Sequence, residues 1–143
     1  MTRAAPLPCS ALGAALGVVF CLVFGLVFGV ALPAAAACPL PPPALQRGAV
    51  QAAWKIDAAP ITVGRHFAID VQVCPADATL ARVDATMPEH KHGMNYRPSV
   101  KALGAGRWRA EGLMFHMPGR WELRLDVRAA GATETLVDSI TLP

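Results

Sequence analysis

The sequence predicts an all-β domain, an antiparallel immunoglobulin-like β-sandwich of about seven strands, with an open barrel of similar strand count as the competing architecture, carried behind an N-terminal signal or anchor segment. Three observations lead there. Beyond residue 49, apolar and polar side chains alternate with a period of two, and no stretch shows a helical period. Clusters of Gly, Pro, Asn and Asp punctuate those stretches at short intervals, as turns of a sandwich do. The chain's excess of apolar residues sits at the front, in the layout of a secretory leader.

The leader comes first. Ala11 to Leu32 reads ALGAALGVVFCLVFGLVFGVAL without a charge, after Arg3 and before Pro33 and the run Ala34 to Ala37. A basic start, an apolar run and an Ala-x-Ala ending predict cleavage near Ala37. The apolar run of about 22 residues is also long enough to span a bilayer, so an uncleaved anchor is the alternative. A lipoprotein acylated on Cys38 is a third, against which Ala35 stands where such signals usually carry Leu. Each version puts the domain outside the cytoplasm, in the periplasm or its equivalent. The expected organisation is residues 1–37 as signal peptide or membrane anchor, 38–48 as a proline-rich lead-in and 49–143 as the sandwich.

Without Arg3, 12 basic side chains face 10 acidic ones, interspersed along the chain, which is no footprint for nucleic acid. Cys9 and Cys21 belong to the leader, leaving Cys38 and Cys74. In an oxidising compartment a lone pair of this kind reads as a disulfide, with two unpaired thiols as the alternative.

The strands follow in order. Pro39 to Arg47 (PLPPPALQR) is stiff and of polyproline character. Ala49 to Ile56 is a first short strand. In His66 to Cys74, Phe67, Ile69, Val71 and Val73 face one way, with Asp70 and Gln72 on the other side. Thr79 to Met87 turns Val83, Ala85 and Met87 inward. Ser99 to Leu103 and Arg107 to Leu113 flank the turn Gly104-Ala105-Gly106. Arg120 to Arg128 (RWELRLDVR) buries Trp121, Leu123, Leu125 and Val127. The last strand, Thr133 to Leu142, has an ambiguous phase because Asp138 falls between Leu136 and Ile140, so a bulge or an exposed edge is expected there.

Candidate chemistry lies in two segments, MPEHKHGMNYRP with Met87, His90, His92 and Met94, and LMFHMPG with Met114, His116 and Met117. If consecutive strands reverse, connections alternate between the two ends of the sandwich. Residues 88–98 and 114–119 then share one end with His66, while Cys74 lies at the other, where Cys38 can meet it. Imidazole and thioether donors suit copper among the metals met outside the cytoplasm, and the candidate ligands are His90, His92, Met94, His116 and Met117. An extended His90-x-His92-x-Met94 would place three donors on one side, unless Gly93 turns the chain sharply. Three histidines could instead hold zinc. A blue-copper centre needs a thiolate, which this end lacks. Against these stand plainer readings: Met87 and Met114 as core side chains, Met117 as a plug at the end of the core, His66 as a surface or capping residue, and His90 and His92 as members of a solvated loop.

The combination Met87-Pro88, His92-Gly93-Met94, Gly106-Arg107-Trp108 and Phe115-His116-Met117-Pro118-Gly119-Arg120-Trp121-Glu122-Leu123 resembles the YtkA-like domain family, related to the extracytoplasmic domains of FixH-type proteins. The resemblance covers about Val71 to Leu142. It implies an immunoglobulin-like sandwich, an extracytoplasmic setting and a link with cytochrome oxidase assembly and copper supply, and it implies no catalytic activity. His92, Met94 and Met117 match the family's motif, whereas His90 and His116 are additions in this chain.

No phosphate-binding Gly-rich loop, H-E-x-x-H, C-x-x-C or G-x-S-x-G occurs, and the only hydroxyls near the histidines are Tyr96 and Ser99, so an enzyme is not expected. Two functions are. One is a copper-binding or copper-handling accessory module with copper as its only cofactor. The other is a metal-free interaction domain docking a membrane complex of the respiratory oxidase type through the same loops. The outward Arg107, Arg109, Arg120 and Arg124 read as a solvated face.

Overall fold

Alternating strands with one apolar face each must bury those faces against one another, and here they do so as two facing sheets. The computed structural model describes residues 38–57 and 60–143; the expected leader over 1–37, with its cleavage point or anchor, lies outside the described residues. The strands are β1 (Leu45–Arg47), β2 (Val50–Ile56), β3 (His66–Cys74), β4 (Thr79–Met87), β5 (His92–Gly93), β6 (Ser99–Gly104), β7 (Arg107–Met114), β8 (Gly119–Ala129) and β9 (Ala132–Leu142). One sheet runs in the order β1-β2-β3-β7-β6 and the other β5-β4-β8-β9, with antiparallel pairing throughout. The seven strands expected from the sequence are all present, and β1 and β5 are additional.

Strand β1 corrects the reading of residues 38–48 as a uniformly polyproline lead-in. Prolines withhold N–H donors only as far as Pro43, and beyond them Leu45 pairs with Ala52 and Arg47 with Val50. The reversal between the two strands passes through Gly48 at a φ of +56°. The sheet therefore begins before residue 49.

Side chains from the two inner faces interlock into a core of Val50, Ile69, Val71, Val73, Leu80, Val83, Leu113, Leu123, Leu125, Val127 and Leu136, each almost wholly removed from water. Burial of each aliphatic side chain contributes about 1.5–3 kcal/mol, the main favourable term in a domain this size. A second cluster of Ala85, Met87, Phe115, Trp121 and Leu142 closes one end of the sandwich. In β4 a register shift between Leu80 and Arg82 lets both Leu80 and Val83 point inward despite their odd spacing.

Strand β9 pairs with β8 in unbroken register from Gly119↔Leu142 to Ala129↔Ala132 and forms the edge of its sheet. No bulge occurs at Asp138. Asp138 instead keeps the inward phase of Leu136 and Leu142, and its carboxylate accepts a hydrogen bond from Trp54 Nε1 at 2.8 Å. An inward carboxylate is tolerated because a donor meets it.

Cys38 and Cys74 form a disulfide with Cα atoms 5.7 Å apart, at the end of β3 opposite to His66. Nine extended residues separate the two ends of β3 by roughly 26 Å. The disulfide and the histidine-bearing loops thus occupy opposite ends of the sandwich.

Candidate metal centre

The histidines and methionines lie where β4 and β7 end and where β5 and β8 begin. After Met87, Pro88 opens a single 3-10 turn, Pro88–His90, for which proline's fixed φ is suited. Lys91, at a φ of +55°, then reverses the chain, and β5 lies back on β4 with Met87 opposite His92 and Thr86 opposite Gly93. Directly opposed residues share a sheet face, so His92 points the same way as the buried Met87. Gly93 is not the point of reversal. Its role is close approach, since a Cβ there would sit 3.0 Å from the Ala85 carbonyl oxygen, which accepts the Met94 N–H at 3.0 Å.

This geometry changes the expected run His90-x-His92-x-Met94. The part from His92 onward follows β5, but His90 is taken out of line by the proline-led turn and is exposed. Its ring centroid still lies 5.8 Å from that of His92. His116 approaches from the segment between β7 and β8, and its ring lies 5.1 Å from His92 with 31° between the planes.

Trp121 backs both rings. Its centroid lies 5.9 Å from His92 and 5.3 Å from His116, with the planes steeply inclined at 67° and 77°. Phe115 stacks on the indole at 4.7 Å and 7°. The indole N–H donates to the Met117 carbonyl at 3.0 Å, which ties down the turn that carries His116 and Met117. Gly119, at a φ of +109°, lets the chain re-enter β8, and a Cβ on it would come 2.6 Å from the terminal methyl of Met87. Met94 and Met117, both partly buried, pack against the cluster that contains Met87, Phe115 and Trp121. His66 pairs with Met114 across β3 and β7, and its exposed ring meets Tyr96 edge-on at 5.5 Å.

Two buried side-chain nitrogens among the described residues lack a hydrogen-bond partner: Trp108 Nε1 and His116 Nδ1. The first can only donate. The second can accept a proton or bind a cation. His92 Nδ1 is 3.4 Å from the carbonyl oxygen of its neighbour Gly93, a long contact. Outside this apolar cluster, Arg120 bonds Glu122 at 2.9 Å and Glu89 at 3.3 Å, linking the 88–90 turn to β8. The hydrogen bonds of Glu122 and then Glu89 raise the guanidinium's already high pKa, so Arg120 keeps its charge at any pH the fold survives.

Among the described residues no three His, Cys, Asp or Glu side chains converge as a metal site. The three-histidine set that zinc would use is not gathered, because His90 stands in its turn facing solvent. What is gathered is two imidazoles with thioethers around them. Two imidazoles bonded to one ion at about 2.0–2.1 Å place their centroids roughly 5 Å apart at a tetrahedral angle. Comparison of the chain with protein-family models, with curated proteins and with solved structures finds no match in any of the three. The resemblance to the YtkA-like family therefore rests on the motif residues alone.

Trp121, read from the sequence only as core, packs against both imidazoles, and Met87 lies in the same cluster. The signal for Trp121 was its place four residues after Met117, the spacing that its N–H spans to reach the Met117 carbonyl.

Proposed function

We propose that the domain is an extracytoplasmic copper-binding or copper-handling accessory module that holds copper(I) on His92 and His116, with thioether sulfur from Met94, Met117 or Met87 completing the coordination. The observation that carries this reading is the unpartnered, buried Nδ1 of His116 beside a second imidazole. Leaving such a group unsatisfied costs about 1–3 kcal/mol, a penalty that a bound ion removes. The donor chemistry favours copper(I): soft thioethers and borderline imidazoles, with Cys38 and Cys74 tied up in the disulfide at the other end. His90, on the exposed turn 5.8 Å away, suits an entry ligand that passes the ion inward. A respiratory oxidase or another copper-handling protein is the class of partner that such a module would serve.

The test is titration of copper(I) into the exported protein against a competing chelator. One equivalent should bind, and the double variant His92→Ala/His116→Ala should lose it. Binding that survives in the double variant rules out this site.

One observation favours the metal-free reading, in which the same end docks a membrane complex. Tyr96, 44% exposed, is one of three large hydrophobic side chains left in solvent among the described residues, and it stands beside the exposed Arg97 on the loop after β5. That reading expects a membrane partner to co-purify under mild detergent and to be lost in Tyr96→Ala or Arg97→Ala, with no metal taken up.

A further inference from the structure

We propose that Trp121 is a wall of the metal site itself, a direct aromatic contact for the bound ion that selects a soft monovalent cation over zinc. The inference rests on the copper reading and adds a residue and a selectivity to it. The centroids of His92, His116 and Trp121 form a triangle with sides of 5.1, 5.3 and 5.9 Å. An ion bonded to both imidazoles at about 2.0–2.1 Å lies on a small circle around their midpoint, roughly 3–7 Å from the indole centroid. Most of that circle is inside the distance of about 6 Å from the centroid within which the face of an indole attracts a cation.

The indole is held for such a role. Phe115 stacks on it, its N–H is engaged by the Met117 carbonyl, and its exposure is zero. It therefore has no freedom to withdraw, and both imidazoles meet it at steep angles instead of stacking on it. A monovalent ion with few ligands has an open coordination side that an aromatic surface can cover without loss. Zinc completes a tetrahedron with polar donors, and the indole occupies a position where it can offer none. Water is kept from the same side, which stabilises the cuprous state against oxidation.

Tryptophan emission tests this during titration with copper(I), or with silver(I) as a redox-inert probe, under a competing chelator. The wild type should lose part of its emission, saturating at one equivalent. Trp121→Phe keeps an aromatic ring and should retain affinity within about threefold, while the emission of the remaining Trp54 and Trp108 stays constant. Trp121→Leu should bind copper(I) about tenfold more weakly than wild type. Phe115→Leu removes the ring stacked on the indole but keeps the indole itself, and should change affinity much less. Zinc should quench in none of them. Copper(I) binding by the wild type at unchanged emission overturns the proposal while leaving the copper reading intact, as does wild-type affinity in Trp121→Leu. Absence of any binding in the wild type overturns both. If Trp121→Leu does not fold, the emission titrations of the wild type and Trp121→Phe decide alone.

Discussion

Trp54 on β2 and Asp138 on β9 meet across the open side of the sandwich, indole N–H to carboxylate, at 2.8 Å. They are 84 residues apart in sequence and belong to different sheets. The bond joins an edge strand to the neighbouring sheet where no ladder can. Trp54→Phe strips the partner from a half-buried carboxylate and should cost about 1–3 kcal/mol. Asp138→Asn keeps an acceptor and should cost less than Asp138→Leu, and the double variant Trp54→Phe/Asp138→Leu should lose less than the sum of the single changes. Urea denaturation of the four variants measures this; additive losses would mean that the bond contributes nothing.

Cys38 and Cys74 close a loop with a sequence separation of 36. In the chain-entropy account such a closure stabilises the fold by about 4 kcal/mol. Cys38→Ala/Cys74→Ala should lower the denaturation midpoint accordingly. Because the disulfide lies at the end opposite the histidines, the copper(I) affinity of protein that remains folded should not change. A variant that loses stability and metal together would show that the two ends are coupled.

How much of this was legible in the sequence follows from the range of each cause. HFAIDVQVC and RWELRLDVR declare their strands because a period of two is local, and strand reversal then suffices to put residues 88–98 and 114–119 at one end. Strand β5 has two residues, too few to carry any period, and it exists because Lys91 takes a left-handed conformation that nothing in its side chain requires. Strand β1 was masked by the prolines before it. The inward place of Asp138 depends on Trp54, and no local pattern reveals a partner at that distance. Within the site, the types of donor were readable, whereas the exclusion of His90 and the inclusion of Trp121 were decided by one proline-led turn and one indole hydrogen bond.

Arg109 on the outer face of β7 gathers three carboxylates: Asp57, Asp70 at 3.0 Å and Glu111 at 2.7 Å. The hydrogen bond from Arg109, and then its charge, hold the Asp57 carboxyl below its ordinary value of 3.8. A depressed carboxyl favours the folded state while it is ionised, so this contribution is complete above pH 3.8 and is lost as pH falls through the lower folded value. Asp57→Asn should therefore melt at a slightly lower temperature than wild type near neutral pH. The two melting curves should converge as the pH is taken well below 3.8. Salt should shrink the gap as well, because the pair is exposed. A gap that persists undiminished in acid would assign the effect to packing instead of charge.

Gly119 connects the fold to the site. Its φ of +109° is open to glycine and strained for any residue with a Cβ, and the added carbon of Gly119→Ala would meet the terminal methyl of Met87 at 2.6 Å. Met87 is 1% exposed and packed with Trp121, so its side chain can yield only by pressing on the ring that backs His92 and His116. The substitution should cost at least 1–2 kcal/mol from backbone strain alone. Gly131→Ala makes a useful control. Gly131 also has a positive φ, +80°, but nothing lies within 4 Å of its would-be Cβ, and it sits in the β8–β9 turn at the disulfide end. Both variants should lose stability through strain, but only Gly119→Ala should also weaken copper(I) binding, by an expected several-fold. Equal copper affinity in the two would mean that Met87 yields without disturbing the rings, and that the packing beneath the histidines does not set their spacing.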